Sequence, residues 1–192
     1  MPNIKLAEWF ADANMDDTAT VGGKGASLGE MFQKLSEIGV KVPNGFTLTT
    51  AAFKQFIDAE IPETTWNNIG APEDIEDLRN AAINCSTLAS ALEVCLRDAD
   101  PKDHLNLNSR ATLARSLVRE TPVPDEIKLV IAREYSKLCE LYQPGVDVAV
   151  RSSATTEDSA EASFAGQYES YLNVSGEQDI IEKWRRCVAS MF

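Results

Sequence analysis

The sequence predicts an α+β fold in which helices are in the majority. Most of the 192 residues lie in segments whose apolar side chains recur every three or four positions, which is the spacing of one buried helix face. Short runs rich in β-branched and aromatic residues, at 46–49, 146–151 and 168–174, predict a small sheet. A hydrophobic content of 44% is sufficient for a sizeable core, in one domain of normal size or two small lobes.

The first helix is predicted directly after a glycine-rich segment at residues 21–25. Gly39 is placed where a helix C-terminus favours glycine. After the short strand at 46–49, Thr49 or Thr50 is expected to cap a second helix that carries Phe53, Phe56 and Ile57. The apolar residues expected to form the buried face of the first helix are Leu28, Met31, Phe32, Leu35 and Ile38.

The central part of the chain is predicted to be helical with polar interruptions. Two prolines and a glycine indicate a loop at 60–72, and a helical pattern follows at 73–99 with a break near 84–87. Residues 98–108 are predicted to be an exposed loop, and 109–119 a short helix. The next helix opens at Pro124 and stops at Pro144-Gly145, before the strand at 146–151.

Residues 177–192 place apolar side chains at helical intervals up to the last residue. They include no glycine cap, proline or polar tail. Since domain ends are usually polar and frayed, this pattern predicts that the natural polypeptide continues beyond Phe192.

The composition excludes several kinds of partner. A formal net charge of −12 argues against nucleic acid or an anionic membrane, which both require basic patches. No apolar segment reaches the length of a membrane span, and residues 1–10 lack a signal-peptide core. Four cysteines without CxxC spacing are interpreted as small core residues in a reducing compartment, so we expect a cytoplasmic protein: Cys85, Cys95, Cys139 and Cys187.

The first candidate site is the polar loop that follows the strand at 146–151. Arg151 ends this strand, and its planar guanidinium matches the geometry of phosphate oxygens. The alternative is an ion pair with Glu157 or Asp158 in a surface turn, and the hydroxyls that follow could equally form turns. The loop residues that we consider candidates for phosphate contact are Ser152, Ser153, Thr155, Thr156, Ser163 and Gly166.

The second candidate site is the glycine-rich segment at 21–25. Gly22 and Gly23 permit unusual dihedral angles and close backbone approach, and Lys24 adds a full positive charge at a helix start. These are the properties of a phosphate-binding turn, although the spacing differs from that of the usual P-loop. The alternative is a flexible turn with a solvated lysine.

Together the two segments resemble one family. The stretches VGGKGASLGEM, VKVPNGFTLTTAAFKQFI and VAVRSSATTEDSAEASFAGQYESYLNV occur in the order found in the N-terminal part of the phosphoenolpyruvate synthases, or pyruvate, water dikinases. The resemblance is close at 15–58 and 146–192 and weak at 60–145, which we interpret as a helical insert. Pyruvate, phosphate dikinases carry a different loop after the arginine, whereas rifampin phosphotransferases and glucan, water dikinases are similar there.

The resemblance implies that residues 1–192 are the first portion of an ATP-grasp-type nucleotide-binding domain. Lys24 and Arg151 would contact ATP phosphates, and the loop from Ser152 to Gln167 would close over them. Phe164 would either pack this loop down or act as a wedge against the nucleotide.

In that family the β-phosphate of ATP passes to a histidine on a swivelling domain and then to pyruvate on a barrel domain, with release of AMP and phosphate. The only histidine here, His104, lacks the context of the phosphorylated histidine and is expected in a surface loop. The Mg²⁺ ligands of the family come later in the chain, so we expect no metal ligand and no complete reaction in these residues. The alternative functions are a stand-alone nucleotide-binding or regulatory module, and a dikinase that acts on rifampin or glucan.

Overall fold

The computed structural model describes residues 5–155 and 169–192. The helix-rich α+β class predicted from the sequence is confirmed for these residues. Short 3₁₀ turns at Met15–Asp17 and Glu73–Ile75 lead into α1 and α4. The elements are β1 (Ala7–Trp9), α1 (Thr18–Glu37), β2 (Phe46–Leu48), α2 (Thr50–Ile57), α3 (Glu63–Trp66), α4 (Glu76–Ile83), α5 (Leu88–Leu96), α6 (His104–Glu120), α7 (Asp125–Leu141), β3 (Val148–Arg151), β4 (Ser170–Val174) and α8 (Glu177–Ala189).

The described strands form two separate antiparallel pairs rather than one small sheet. β2 pairs with β1, which sequence analysis did not predict, and Trp9 lies opposite Phe46. β3 pairs with β4, with Arg151 opposite Ser170 and a register irregularity between Val148 and Val150. The second pair therefore ends where the polar loop after Arg151 begins, which we call the arginine loop.

The main core lies among α2, α5, α6, α7 and α8. Each helix contributes its apolar stripe, and burial of one such side chain contributes about 1.5–3 kcal/mol. The rings of Phe56 and Trp184 lie 5.4 Å apart, which joins α2 to α8. The apolar stripe predicted at 177–192 is confirmed as a buried face as far as Ala189, whereas Met191 is exposed. Fully buried core residues include Phe56, Leu88, Leu113, Leu117, Ile127 and Ile131.

Several predicted boundaries differ from the structure. Residues 60–72 contain the short helix α3, and α6 begins at His104 instead of residue 109. The carboxylate of Asp103 accepts a hydrogen bond from the Asn106 amide at 3.1 Å, which stabilises this earlier start. His104 is exposed as expected, but it is the first residue of a helix and not a loop residue.

The prediction that a threonine side chain caps α2 was also wrong. Thr49 occupies the N-cap position, but its side chain makes no capping hydrogen bond. Its hydroxyl donates instead to the backbone oxygen of Lys5 at 2.8 Å, because the segment that leads into β1 passes beside it. Thr49 therefore joins β1 to α2.

The buried face of α1 differs from the one that the sequence predicted: none of the five predicted side chains is fully buried, and Leu28, Phe32 and Leu35 are half-buried. Met31 is 44% exposed and Ile38 is 74% exposed, whereas the small residues Gly25, Ala26 and Gly29 are buried. A Cβ atom on Gly29 would lie 2.2 Å from the backbone oxygen of Ala13. Gly29 thus allows a close backbone contact with Ala13, and this contact leaves Met31 and Ile38 exposed.

The four cysteines are unpaired, as predicted. Cys95 and Cys187 are buried, and burial raises the pKa of the Cys95 thiol to about 11. Cys85 and Cys139 are half-buried against the same core.

In the part of the chain that the structure describes, no helix combines the length and the apolar character needed to cross a membrane.

Candidate functional site

The glycine-rich segment forms a kink inside α1. The helix already starts at Thr18, so the glycines lie within its first turns and not before it. Gly22 interrupts the helix with φ 75° and ψ 167°, a conformation that is essentially restricted to glycine. A helix interrupted in this way leaves backbone groups without their usual partners four residues away.

Ser153 occupies the gap in the helical hydrogen bonds. In a regular helix the amide of Gly25 would donate to the oxygen of Val21. Here the Gly25 amide donates to Ser153 Oγ at 2.8 Å, and this hydroxyl donates to the Val21 oxygen at 2.7 Å. The serine hydroxyl is therefore inserted into one hydrogen bond of α1.

A second backbone pair at the kink bonds to two separate partners. The amide of Gly23 donates to the backbone oxygen of Ala154 at 3.0 Å, and the oxygen of Ala19 accepts from the Thr50 hydroxyl at 3.2 Å. In a regular helix Gly23 and Ala19 would have paired with each other. The kink thus depends on the arginine loop and on the start of α2.

The two candidate segments also touch through their backbones. A Cβ atom on Gly22 would lie 2.0 Å from the backbone oxygen of Ser153, far inside any allowed contact. Only a glycine at this position allows the arginine loop to approach so closely. The structure therefore brings together Gly22, Gly23 and Ser153, which sequence analysis had selected separately.

Lys24 lies in the middle of this contact, between the amides of Gly23 and Gly25. It is half-buried. The pKa of the Cys187 thiol in α8 is raised to about 12, because burial and the Glu169 carboxylate raise it more than the positive charge of Lys24 lowers it. The positive charge of Lys24 therefore acts electrostatically on Cys187 near the end of α8, beside β3 and β4.

The arginine loop presents an exposed cation beside a buried hydroxyl. Arg151 is exposed, and its Nε lies 3.5 Å from the Oγ of Ser170 across the β3–β4 pair. Ser152 is only 7% exposed, and within residues 5–155 and 169–192 its hydroxyl has no hydrogen-bond partner. A buried hydroxyl without a partner is costly, so this is a polar atom available to a ligand. Thr155, three residues further along the chain, is exposed.

The remaining candidates in this loop lie outside the described residues. They are Thr156, Ser163, Phe164 and Gly166. Sequence analysis missed the roles of Gly25 and Thr50, which both bond at the kink. The glycine spacing was visible in the sequence, but a partner 128 residues away in the chain left no local signal.

The arrangement is suited to an anionic ligand. A half-buried lysine and an exposed arginine flank a contact between a glycine turn and a hydroxyl-bearing loop, on a body with a net charge of −12. Among the described residues, no three His, Cys, Asp or Glu side chains are grouped closely enough to hold a metal ion. The described part of the site therefore offers cations and hydrogen-bond donors.

Residues 18–192 match the family model described as pyruvate phosphate dikinase, AMP/ATP-binding domain. The chain belongs to this family of nucleotide-binding domains. It is also similar to phosphoenolpyruvate synthases, with 40% identity to that of Synechocystis sp., 35% to that of Pyrococcus furiosus and 36% to that of Aquifex aeolicus. These alignments cover 97%, 98% and 97% of this chain but only 20%, 23% and 19% of the relatives.

The resemblance drawn from the motifs is therefore confirmed. The alignments extend over nearly the whole chain, including residues 60–145, where the motifs gave only a weak resemblance. The chain spans about a fifth of the length of the relatives that it matches.

Proposed function

We propose that this chain is the ATP-binding portion of a phosphotransferase of the phosphoenolpyruvate synthase type, with an ATP-grasp-type fold. The observation that carries the proposal is the insertion of Ser153 into the hydrogen bonds of α1. This insertion joins the glycine-rich segment that carries Lys24 to the arginine loop. The family match supports the nucleotide as the ligand.

In this proposal Lys24 and Arg151 bind the phosphates of ATP. Phosphoryl transfer depends mainly on positioning and on neutralisation of charge, which two cations and the loop hydroxyls can supply. The unpaired hydroxyl of Ser152 is the first further donor that we assign to the phosphates, followed by Thr155. Thr156, Ser163 and Gly166 belong to the same proposed loop.

The complete reaction requires groups beyond these residues. ATP and water would yield AMP, inorganic phosphate and a phosphohistidine on a swivelling domain, and the phosphohistidine would then convert pyruvate to phosphoenolpyruvate. His104 is the only histidine of the chain and lies exposed at the start of α6, so we assign the phosphorylated histidine to another part of the polypeptide. Mg²⁺, which neutralises phosphate charge in such reactions, has no proposed ligand among the described residues.

Two measurements test this function. The first is binding of a non-hydrolysable ATP analogue, and the second is pyruvate-dependent AMP formation by the longest natural polypeptide that contains this chain. Lys24→Ala and Arg151→Ala are each expected to lower AMP formation about a hundredfold, a typical loss for one charge-stabilising contact.

The matched controls are Lys54→Ala in α2 and Arg119→Ala in α6, which remove exposed cations from other surfaces. Both controls should retain the parent activity. Wild-type AMP formation in either Lys24→Ala or Arg151→Ala would refute the proposed site.

A further inference from the structure

The hydroxyl of Ser153 is already engaged on both sides within the protein. It donates its single proton to the Val21 oxygen at 2.7 Å and accepts the Gly25 amide proton at 2.8 Å. A hydroxyl that binds a phosphate oxygen must donate its proton to that oxygen. If Ser153 did so, the Val21 oxygen would lose its hydrogen bond at the kink.

From this geometry we propose that Ser153 is a positioning residue that fixes the orientation of Lys24 and does not itself bind phosphate. The inference rests on the proposed function, because it assumes that Lys24 contacts ATP. It changes the role of Ser153 from one of several phosphate-loop hydroxyls to the group that keeps α1 kinked.

The physical basis is the place of Lys24 within the interrupted turn. Lys24 lies between the Gly23 amide, bonded to Ala154, and the Gly25 amide, bonded to Ser153. Both anchors belong to the loop that follows Arg151. The direction of the lysine side chain is therefore set by the same loop that carries the other proposed phosphate-binding cation.

Removal of the Ser153 hydroxyl frees the Val21 oxygen and the Gly25 amide, which are four residues apart. These groups can then pair directly, as in a regular helix. Such pairing turns the backbone around Lys24 and changes the direction of its side chain. The effect of Ser153→Ala on ATP binding should therefore act through Lys24.

A double-mutant cycle on the longest natural polypeptide that contains this chain tests the inference. The affinity for a non-hydrolysable ATP analogue is measured for the parent, Ser153→Ala, Lys24→Ala and the double variant. We expect Ser153→Ala to weaken binding about tenfold in the parent and less than about twofold when Lys24 is already alanine. We also expect a shifted amide resonance for Gly25 in Ser153→Ala.

Ser90→Ala is the matched control for a loss of stability. The Ser90 hydroxyl in α5 also makes local backbone bonds at a helix start, to Thr87, the N-cap residue of α5. This variant should lower thermal stability and leave the affinity of the folded protein unchanged.

The outcomes separate the inference from the proposed function. Parent affinity in Ser153→Ala, or equal losses with and without Lys24, would overturn the positioning role while ATP binding by the parent stands. Failure of the parent to bind the analogue would instead overturn the proposed function, and the inference with it.

Discussion

The indole nitrogen of Trp9 donates a hydrogen bond to the carboxylate of Glu134 at 2.7 Å, across 125 residues of the chain. The Glu134 side chain is only 4% exposed, and it also accepts hydrogen bonds from Arg133 Nε at 2.6 Å and Lys137 Nζ at 2.7 Å. This buried carboxylate connects the β1–β2 pair to α7. It therefore links the β1–β2 pair, which α1 contacts through β2, to the main core.

Glu134→Ala should lower the free energy of unfolding by about 2 kcal/mol, because it leaves a partly buried indole N–H without its charged acceptor. The measurement is urea-induced unfolding followed by circular dichroism. The control is Glu93→Ala, since the Glu93–Arg97 pair is exposed on both sides and should contribute much less to stability. Equal losses in the two variants would contradict the role of Glu134.

The same carboxylate should give stability a specific dependence on pH. Burial raises the pKa of Glu134, but the hydrogen bonds from Lys137, Trp9 and Arg133 outweigh burial, so its pKa lies below the ordinary value. A depressed pKa stabilises the folded state above the unfolded-state pKa of about 4.3, and this contribution is lost as the pH falls through the folded-state pKa.

The pH dependence can be measured by comparing the parent with Glu134→Gln, which cannot titrate. The difference in unfolding free energy should be constant at neutral pH and shrink below about pH 4.3. Parallel curves down to acid pH would show that Glu134 has an ordinary pKa.

Gly29→Ala should destabilise the protein although alanine is the better helix former. Alanine gains about 1 kcal/mol over glycine in a helix interior, but its Cβ would lie 2.2 Å from the Ala13 oxygen. We expect a net loss of about 2 kcal/mol in thermal or chemical unfolding. The control is Gly70→Ala, where a Cβ meets nothing within 4 Å and stability should be nearly unchanged.

Gly22→Ala should reduce both stability and affinity for the ATP analogue. It combines a positive φ of 75° with a contact of 2.0 Å to Ser153, and we expect a loss of about 3 kcal/mol. Gly145→Ala has the positive φ of 66° without any contact within 4 Å, so it should cost about 1 kcal/mol and leave binding unchanged. Similar effects of both substitutions would indicate that the contact with Ser153 contributes little.

Thiol labelling should separate the cysteines into two classes. The pKa values of about 11 for Cys95 and about 12 for Cys187 leave almost no thiolate near neutral pH, and both residues are buried. Cys85 and Cys139 are half-buried and should react first with a thiol reagent at about pH 8. Peptide mapping after timed labelling gives the rates, and early modification of Cys187 would contradict its buried position.

Much of the secondary structure could be predicted from the sequence. The helices after Thr49 and Pro124, the break near 84–87 and the buried stripe of α8 follow from periodicity and from capping or breaking residues close by in the chain. The missed elements, β1 and α3, are only three and four residues long, too short for a periodic pattern to show. The buried face of α1 was predicted wrongly because large apolar residues form the visible stripe, while close packing against Ala13 selects the glycine face.

The sequence by itself determined the family, the two segments proposed to bind phosphate and the residue types within them, because these properties reside in local order. Only the tertiary structure decided that Ser153 enters the hydrogen bonds of α1 from 132 residues away and that Gly22 touches it. Hydrogen bonds and close contacts depend on distances in space, and nothing in the local pattern around Val21 or Ser153 specifies which distant segment will fold against it.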